Sequence, residues 1–385
     1  MSTSVSKDKK PDLSIANPDV VYKYKTGGEI SNRVLAKVLS LIKEGSTTYE
    51  ISKRGDELLE EELSKIYNSK KTSSIPKGIA FPTCVNPNHI PAHLAPVSEE
   101  DESNITLKDG DVVNVMLGVQ IDFYPAIVAE TVVVGASKEH PINGQKADLV
   151  KSAWIASEAA IRSFQPGKRN WDVTNIVSEV AKEFGTTPVE SMLTHNIERN
   201  VLYGPKEVIL NPTKDNKTQM ETHKFEENEV YGLDILISTS ADGKVKPSKY
   251  RTSLYKLTGN SYSLKLKSSH YALGEVKKKV SGLFPFNVRS LEDARKVRTG
   301  MIECSNHKVS LSYDIFAEKE GEFIAQYFTT FAVTKNGIVK YTSPTFDAEA
   351  YVSDKEIAND AIKALLATPL RAPKKKNTKK TETAA

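Results

Sequence analysis

Two neighbouring apolar runs, Val112–Ile121 and residues 126–134, constrain this sequence more than anything else in it. Asp122 and Pro125 lie between them. Two runs of strand-forming residues separated by turn formers read as a β-hairpin. Helical periodicity brackets that hairpin. From residue 29 to 44, Ile30, Val34, Leu35, Val38, Leu39, Leu41 and Ile42 recur at helical spacing and Gly45 supplies a stop. Residues 47–67 repeat the pattern, followed by a Lys/Ser loop over 68–77 that contains Pro76. Downstream, 145–164 and 171–184 predict two more helices, parted by Pro166-Gly167. Strands are predicted over 229–240, 250–257, 308–316 and 322–333, with Asn336-Gly337 as a tight turn. From Thr342 onward order is expected to decay, apart from a short helix around 357–366.

The hairpin motif Asp111-Val112-Val113-Asn114-Val115-Met116 has a weak echo in Glu229-Val230-Tyr231-Gly232-Leu233-Asp234. Both begin with an acid and place a residue of interest sixth. The echo fits two related α+β halves around a central cleft.

The chain is long enough to bury a large core, as one big domain or two smaller ones, and its 39% apolar and 26% charged residues are ordinary for a globular protein. Two cysteines, Cys84 and Cys304, imply no disulfide framework and favour a reducing compartment. Residues 1–11 are polar with no apolar core, so no secretory leader is expected. No apolar run approaches the ~20 residues of a membrane span, so no membrane association is expected.

Charge is unevenly placed. The net charge is +4, yet the last 17 residues carry Arg371, Lys374, Lys375, Lys376, Lys379 and Lys380 against Glu382. The remainder is therefore close to neutral, and any polyanion affinity must come from local patches. The tail has two readings that stay open: a solvated end, or a nuclear-import or nucleic-acid contact. A second basic stretch runs from about 241 to 305, with Lys265, Lys267, Lys277, Lys278, Lys279, Arg289, Arg295, Lys296 and Arg298 among interleaved tyrosines and phenylalanines. The expected organisation is a disordered segment over 1–14, one domain over 15–365 with a helical insertion at about 241–305, and a disordered basic tail over 366–385.

Several motifs carry a family resemblance. Gly78-Ile79-Ala80-Phe81-Pro82-Thr83, Ala92-His93-Leu94-Ala95-Pro96 and the hairpin resemble the type II methionine aminopeptidases and their pita-bread relatives. Tyr22-Lys23-Tyr24-Lys25, Arg54-Gly55-Asp56, Val208-Ile209-Leu210-Asn211-Pro212, Leu264-Lys265-Leu266-Lys267-Ser268-Ser269 and Glu318-Lys319-Glu320-Gly321-Glu322-Phe323 narrow it. From about residue 15 to 345 the chain resembles the proliferation-associated, ErbB3-binding and curved DNA-binding proteins. These are non-catalytic relatives of the aminopeptidases. The resemblance implies an α/β pita-bread fold with a helical insertion on its rim.

It also implies a missing site. The peptidases hold two metal ions with two aspartates, a histidine and two glutamates, hard donors that generate hydroxide and polarise a carbonyl. The matching positions here are Met116, Ile127, His195, Asp234 and Phe328. One imidazole and one shortened carboxylate remain, so no catalytic residue, metal or cofactor is expected. The substrate-facing histidines of the enzymes match His93 and Tyr203. For His93 and His195 the plainer account is a hydrogen-bonded cleft histidine, and for the three apolar replacements it is packing where water and metal sat. Typical branch members keep the first aspartate more often than not, and Met116 departs from them.

The branch implies a non-enzymatic protein, monomeric, in cytoplasm and nucleus with the nucleolus included, binding ribosomal RNA, the large ribosomal subunit or preribosomes, in one case curved DNA, and regulatory proteins. Lys265, Lys267, Lys277, Lys278, Lys279 and the tail lysines are the candidate phosphate contacts, with solubilising surface charge as the plainer account. No zinc finger or RNA-recognition signature is present, so backbone and shape recognition is expected. A protein-interaction adaptor using the vacated cleft and a residual aminopeptidase remain as alternatives.

Overall fold

The computed structural model describes residues 12–371. Helix α1 (Pro18–Leu39) opens the fold, with Asn17 capping its N-terminus and Pro18 in the first turn. It begins eleven residues earlier than the predicted start at residue 29. The added turns include Gly27-Gly28, which is a close-packing site inside the helix. A Cβ on Gly28 would lie 2.0 Å from the Tyr341 carbonyl oxygen, and one on Gly27 would lie 3.3 Å from Ala126. Helix α2 (Thr48–Ser64) follows, started by a capping box between Thr47 and Glu50. Strands β1 (Lys77–Pro87), β2 (Val112–Ile121) and β3 (Tyr124–Val133) complete the first half. The predicted hairpin is present. Asp122 and Phe123 both take positive φ, 50° and 66°, which makes a two-residue turn whose twist suits antiparallel strands.

The second half repeats the plan: α3 (Gln145–Ser163), α4 (Asn170–Glu183), β4 (Leu193–Ile197), β5 (Glu207–Ile209) and β6 (Val230–Ser238). An inserted unit then carries β7 (Leu254–Leu257), α5 (Lys267–Lys279), α6 (Ala294–Asn306) and β8 (Ser310–Ser312). The chain returns through β9 (Ile324–Thr334), β10 (Gly337–Lys340) and α7 (Asp360–Ala367).

Among the described residues one nine-stranded sheet organises the fold. Its order is β1-β2-β3-β9-β6-β4-β5, with β10 on β9 and a short strand, Thr187–Pro188, on β6. Every neighbouring pair along it is antiparallel. Strands β3 and β9 are central, and β2 and β6 flank them, so the two echoing motifs occupy equivalent places.

Side chains alternate across this sheet. Val113, Val115, Leu117 and Val119 pack on α1 and α2, and Leu233, Ile235, Tyr327 and Phe331 pack on α3 and α4. Met116, Ile127, Ala129 and Phe328 point the other way, into a separate apolar cluster with Phe81, Leu202 and Tyr313. One face is thus roofed by helices and the opposite face forms a cleft.

The insertion is more than helical. Strand β7 pairs with Phe286–Asn287 and with β8, so the unit runs past the predicted boundary at 305. Ala272 and Val276 of α5 and Val297, Met301 and Cys304 of α6 share a core with Tyr255, Phe286 and Val309. Cys84 and Cys304 are free and buried in different clusters.

The expected loss of order after Thr342 is corrected. Phe346 stacks on Trp154 at 5.8 Å, the Tyr351 hydroxyl accepts from the Val133 N–H at 3.1 Å, and Ile338 N–H donates to the Leu370 carbonyl at 2.7 Å. The apolar residues of this strap are too widely spaced to show a period, but each meets α3 or the sheet. The boundaries expected at residues 14 and 366 move accordingly. Residues 12–14 are placed, with Leu13 accepting from the Tyr124 hydroxyl, and 366–371 continue from α7. No helix among the described residues is long and apolar enough to cross a membrane.

Candidate functional site

The cleft face holds a cavity of about 270 Å³ that collects every position the sequence singled out for metal chemistry. Met116, Ile127, His195, Asp234 and Phe328 all line it, together with His93, Tyr203, Tyr313 and Gln326. Register explains the gathering. Phe328 on β9 pairs with Asp234 on β6 and with Ala129 on β3, and Ala129 in turn pairs with Met116 on β2. His195 on β4 pairs with Gly232, two residues before Asp234 on the same face of β6.

The cavity is apolar at the three positions that match oxygen ligands in the peptidases. Met116, Ile127 and Phe328 are 6%, 2% and 8% exposed and offer no oxygen donor. A Cβ on Gly232 would sit 2.5 Å from the Phe328 ring, so the ring takes the space that a side chain at 232 would need.

The remaining polar groups are engaged or neutral. Asp234 Oδ1 accepts from Gln326 Nε2 at 2.8 Å, and that amide lies 3.9 Å from the Met116 sulfur. Burial pushes the Asp234 carboxyl up to about 7 against the pull of that single hydrogen bond. His195 Nδ1 lies 3.3 Å from the Gly204 carbonyl and 3.6 Å from Glu207. His93 sits at φ 73° with Nδ1 3.2 Å from the Asp314 carbonyl. Burial lowers both imidazoles' affinity for protons. The Tyr203 and Tyr313 hydroxyls bond each other at 2.7 Å, and burial raises both phenols.

Two divalent ions bridged at about 3.5–4 Å need several hard anionic donors. One carboxyl with its proton affinity raised and one imidazole do not fit that group. Among the described residues no set of three or more His, Cys, Asp or Glu side chains converges as a metal site.

The sequence profile of metallopeptidase family M24 matches residues 23–244. The chain belongs to family M24. The curved DNA-binding protein of Schizosaccharomyces pombe is 42% identical over 96% of this chain and 95% of its own length. ErbB-3 binding protein 1 of Arabidopsis thaliana is 37% identical over 97% of this chain and 92% of its own. The structure of a thermophilic Arx1 superposes with a TM-score of 0.86 at 31% identity, over 92% of this chain and all of that one. Within M24, then, the chain sits in the ErbB3-binding, proliferation-associated branch, and its architecture is the pita-bread fold.

A second group of candidate residues lies on the insertion. Lys265, Lys267, Lys277, Lys278 and Lys279 are all exposed, the last three in the final turn of α5. Lys278 pairs with Glu275 at 2.6 Å, and Lys279 donates to the Ser290 carbonyl. Two arginines of the same stretch, Arg289 and Arg298, serve the fold more than the surface, whereas Arg295 is exposed. Arg289 bridges to Asp56 at 2.6 Å with both side chains largely buried, and also donates to the Pro96 carbonyl. Arg298 pairs with Asp101. Lys374, Lys375, Lys376, Lys379 and Lys380 lie outside the described residues.

Sequence reasoning missed three groups. Gln326 stands two residues before Phe328 and so shares its face, a signal that was available. Asp56 was quoted as a family mark, but its work, accepting from Thr83 N–H at 2.7 Å while tethering Arg289, depends on partners far along the chain. Glu130 is buried beneath the C-terminal strap, accepts from Thr345 and has its carboxyl pushed up to about 7 by burial. Nothing in the local sequence marks it.

Proposed function

We propose that this chain is a non-hydrolytic M24 protein that binds nucleic acid or ribosomal particles through the basic face of its insertion. The observation that carries the first half is the substituted donor set: Met116, Ile127 and Phe328 pack together where a dimetal peptidase needs carboxylates. Apolar replacement also spares the fold unpaired buried charges once metal is lost. The second half rests on exposed lysines set outside the main core, and on the printed names of relatives, one of which binds curved DNA.

Phosphate neutralisation by such lysines gives an affinity that falls steeply with salt and is indifferent to sequence. Ribosomal RNA of the large subunit or a preribosome is the polyanion this reading favours, in cytoplasm and nucleus, with a monomer as the acting unit. Polysome co-sedimentation of the full chain tests it. Association should weaken when Lys265, Lys267 and Lys277 are changed together to Glu, and each lost phosphate contact should lower the salt slope by about 0.7–0.9. Association that survives both that change and removal of residues 369–385 would assign the contact to protein instead.

One observation favours a second role. Gln326 Oε1 is buried at the cavity wall without a hydrogen-bond partner among the described residues. An unpaired acceptor beside an apolar cavity is what a small docked donor group would satisfy. That supports an adaptor function for the same cleft.

A further inference from the structure

The insertion carries an aromatic pair that its own core does not use. Tyr262 is 48% exposed and stacks on His307, with ring centroids 3.8 Å apart and planes 9° from parallel. His307, at the end of α6, is exposed as well. Of the clusters in the insertion, the buried one is built from Tyr255, Leu264, Phe286 and the helix side chains. Tyr262 therefore contributes little to folding and leaves ring surface open to solvent.

The loop holding Tyr262 is tied at both ends. On one side the Thr258 hydroxyl and the Asn260 amide both donate to the Lys308 carbonyl, at 2.7 and 3.1 Å. On the other, Leu264 is buried, and its carbonyl lies 2.9 Å from His270 Nε2. Backbone amides of Lys265 and Leu266 donate to the two oxygens of Glu303, one turn before His307. The ring is thus presented in a fixed place, which lowers the entropic cost of a ligand stacking on it.

Cations surround it. Lys265 and Lys267 follow within five residues and Lys308 is adjacent to His307, all three exposed. From that end, Lys267, His270, Gly274 and Lys277 form the solvent face of α5. Their spacing of three, four and three residues keeps them on one side of the helix over about 15 Å. The strip has lysine at both ends, no acid between them at those positions, and an open aromatic face beside its start.

We propose that Tyr262, backed by His307, is a stacking platform for an unpaired base of a single-stranded nucleic acid whose phosphates follow the exposed face of α5. The inference rests on the nucleic-acid reading above and adds to it the strandedness of the ligand. A duplex keeps its bases stacked inside and offers only phosphates, whereas a single strand or bulge can offer a base face. Every base has such a face, so the platform selects strandedness and not sequence.

The test is fluorescence anisotropy on the full chain at low salt, with labelled oligouridylate and an RNA duplex of equal length. Tyr262→Ala should weaken oligouridylate binding by about 5- to 150-fold, the usual effect of losing one base–aromatic stack, and leave the duplex within about twofold. Tyr262→Trp should keep single-strand binding and show indole quenching on saturation. The triple change of Lys265, Lys267 and Lys277 to Glu should weaken both ligands. If Tyr262→Ala binds oligouridylate as the wild type does while the lysine variant loses it, the platform is overturned and the basic face stands. If the wild type binds neither RNA, or the lysine variant binds both normally, the nucleic-acid reading falls as well.

Discussion

Replacing Gly232 with alanine tests the plugged cleft more directly than any assay of activity. The added methyl group would lie 2.5 Å from Phe328 Cζ, 3.1 Å from its Cε1 and 2.9 Å from Ile197 Cδ1. Real side chains do not approach so closely, so the ring or β6 must shift, and overpacking of this kind costs about 1–3 kcal/mol. Phe328→Ala should cost about 3 kcal/mol, the low end for a buried phenylalanine, because one side of the ring borders an existing cavity. The informative quantity is the coupling. With the ring gone, Ile197 is the remaining obstacle, and Gly232→Ala should then cost under about 1 kcal/mol. The double variant should therefore be more stable than the sum of singles by roughly 1–2 kcal/mol. Urea unfolding at equilibrium reads this from midpoints, given unchanged slopes. A harmless Gly232→Ala, or an equal cost with alanine at 328, would refute the claim that the Phe328 ring fills the space beside Gly232.

Three further outcomes are expected. Asp234, with an ordinary carboxyl value when unfolded, titrates near 7 in the fold. Between about pH 4 and 7 the folded chain thus holds a proton the unfolded chain has released, and stability falls as pH rises through that window. Glu130, also raised to about 7 by burial, contributes in the same window, so Asp234→Asn should remove only Asp234's share of the slope in the urea-midpoint profile and match the wild type near pH 4; an unchanged profile would show that Asp234 does not titrate there. Arg289→Ala leaves Asp56 with only the Thr83 N–H and should cost about 2–4 kcal/mol. Hydrogen exchange should rise mainly in the insertion, and a uniform rise across the main sheet would refute the tether. Finally, the purified chain supplied with manganese or cobalt should hydrolyse no methionyl peptide above background, and titration calorimetry should find no bridged pair of ions. Turnover dependent on Asp234 would overturn that reading.

How much was legible depends on whether the controlling contact was local. Helix α2, helices α3 and α4 and the β2–β3 hairpin follow from period and punctuation, because their burial pattern repeats within a few residues. Helix α1 starts eleven residues before its apolar period does, and the glycine it needs at 28 is set by the Tyr341 backbone, more than 300 residues away in sequence. The strap after Thr342 was misread for the same reason: Phe346 and Tyr351 find partners on α3 and β3 that no local pattern announces. At the site, the identities of Met116, Ile127 and Phe328, none with an oxygen donor, are legible in the sequence directly.

The sequence by itself therefore settled the family, the alternating strands and the absence of carboxylates at three positions, because composition and period are properties of short stretches. Tertiary structure alone decided how the residues at those positions meet. Antiparallel register brings Met116, Phe328 and Asp234 from three strands to one wall, the Phe328 ring takes the space over Gly232, and Gln326 caps the surviving carboxyl. Those are distances between residues more than 200 apart in the chain, and only a folded sheet sets them.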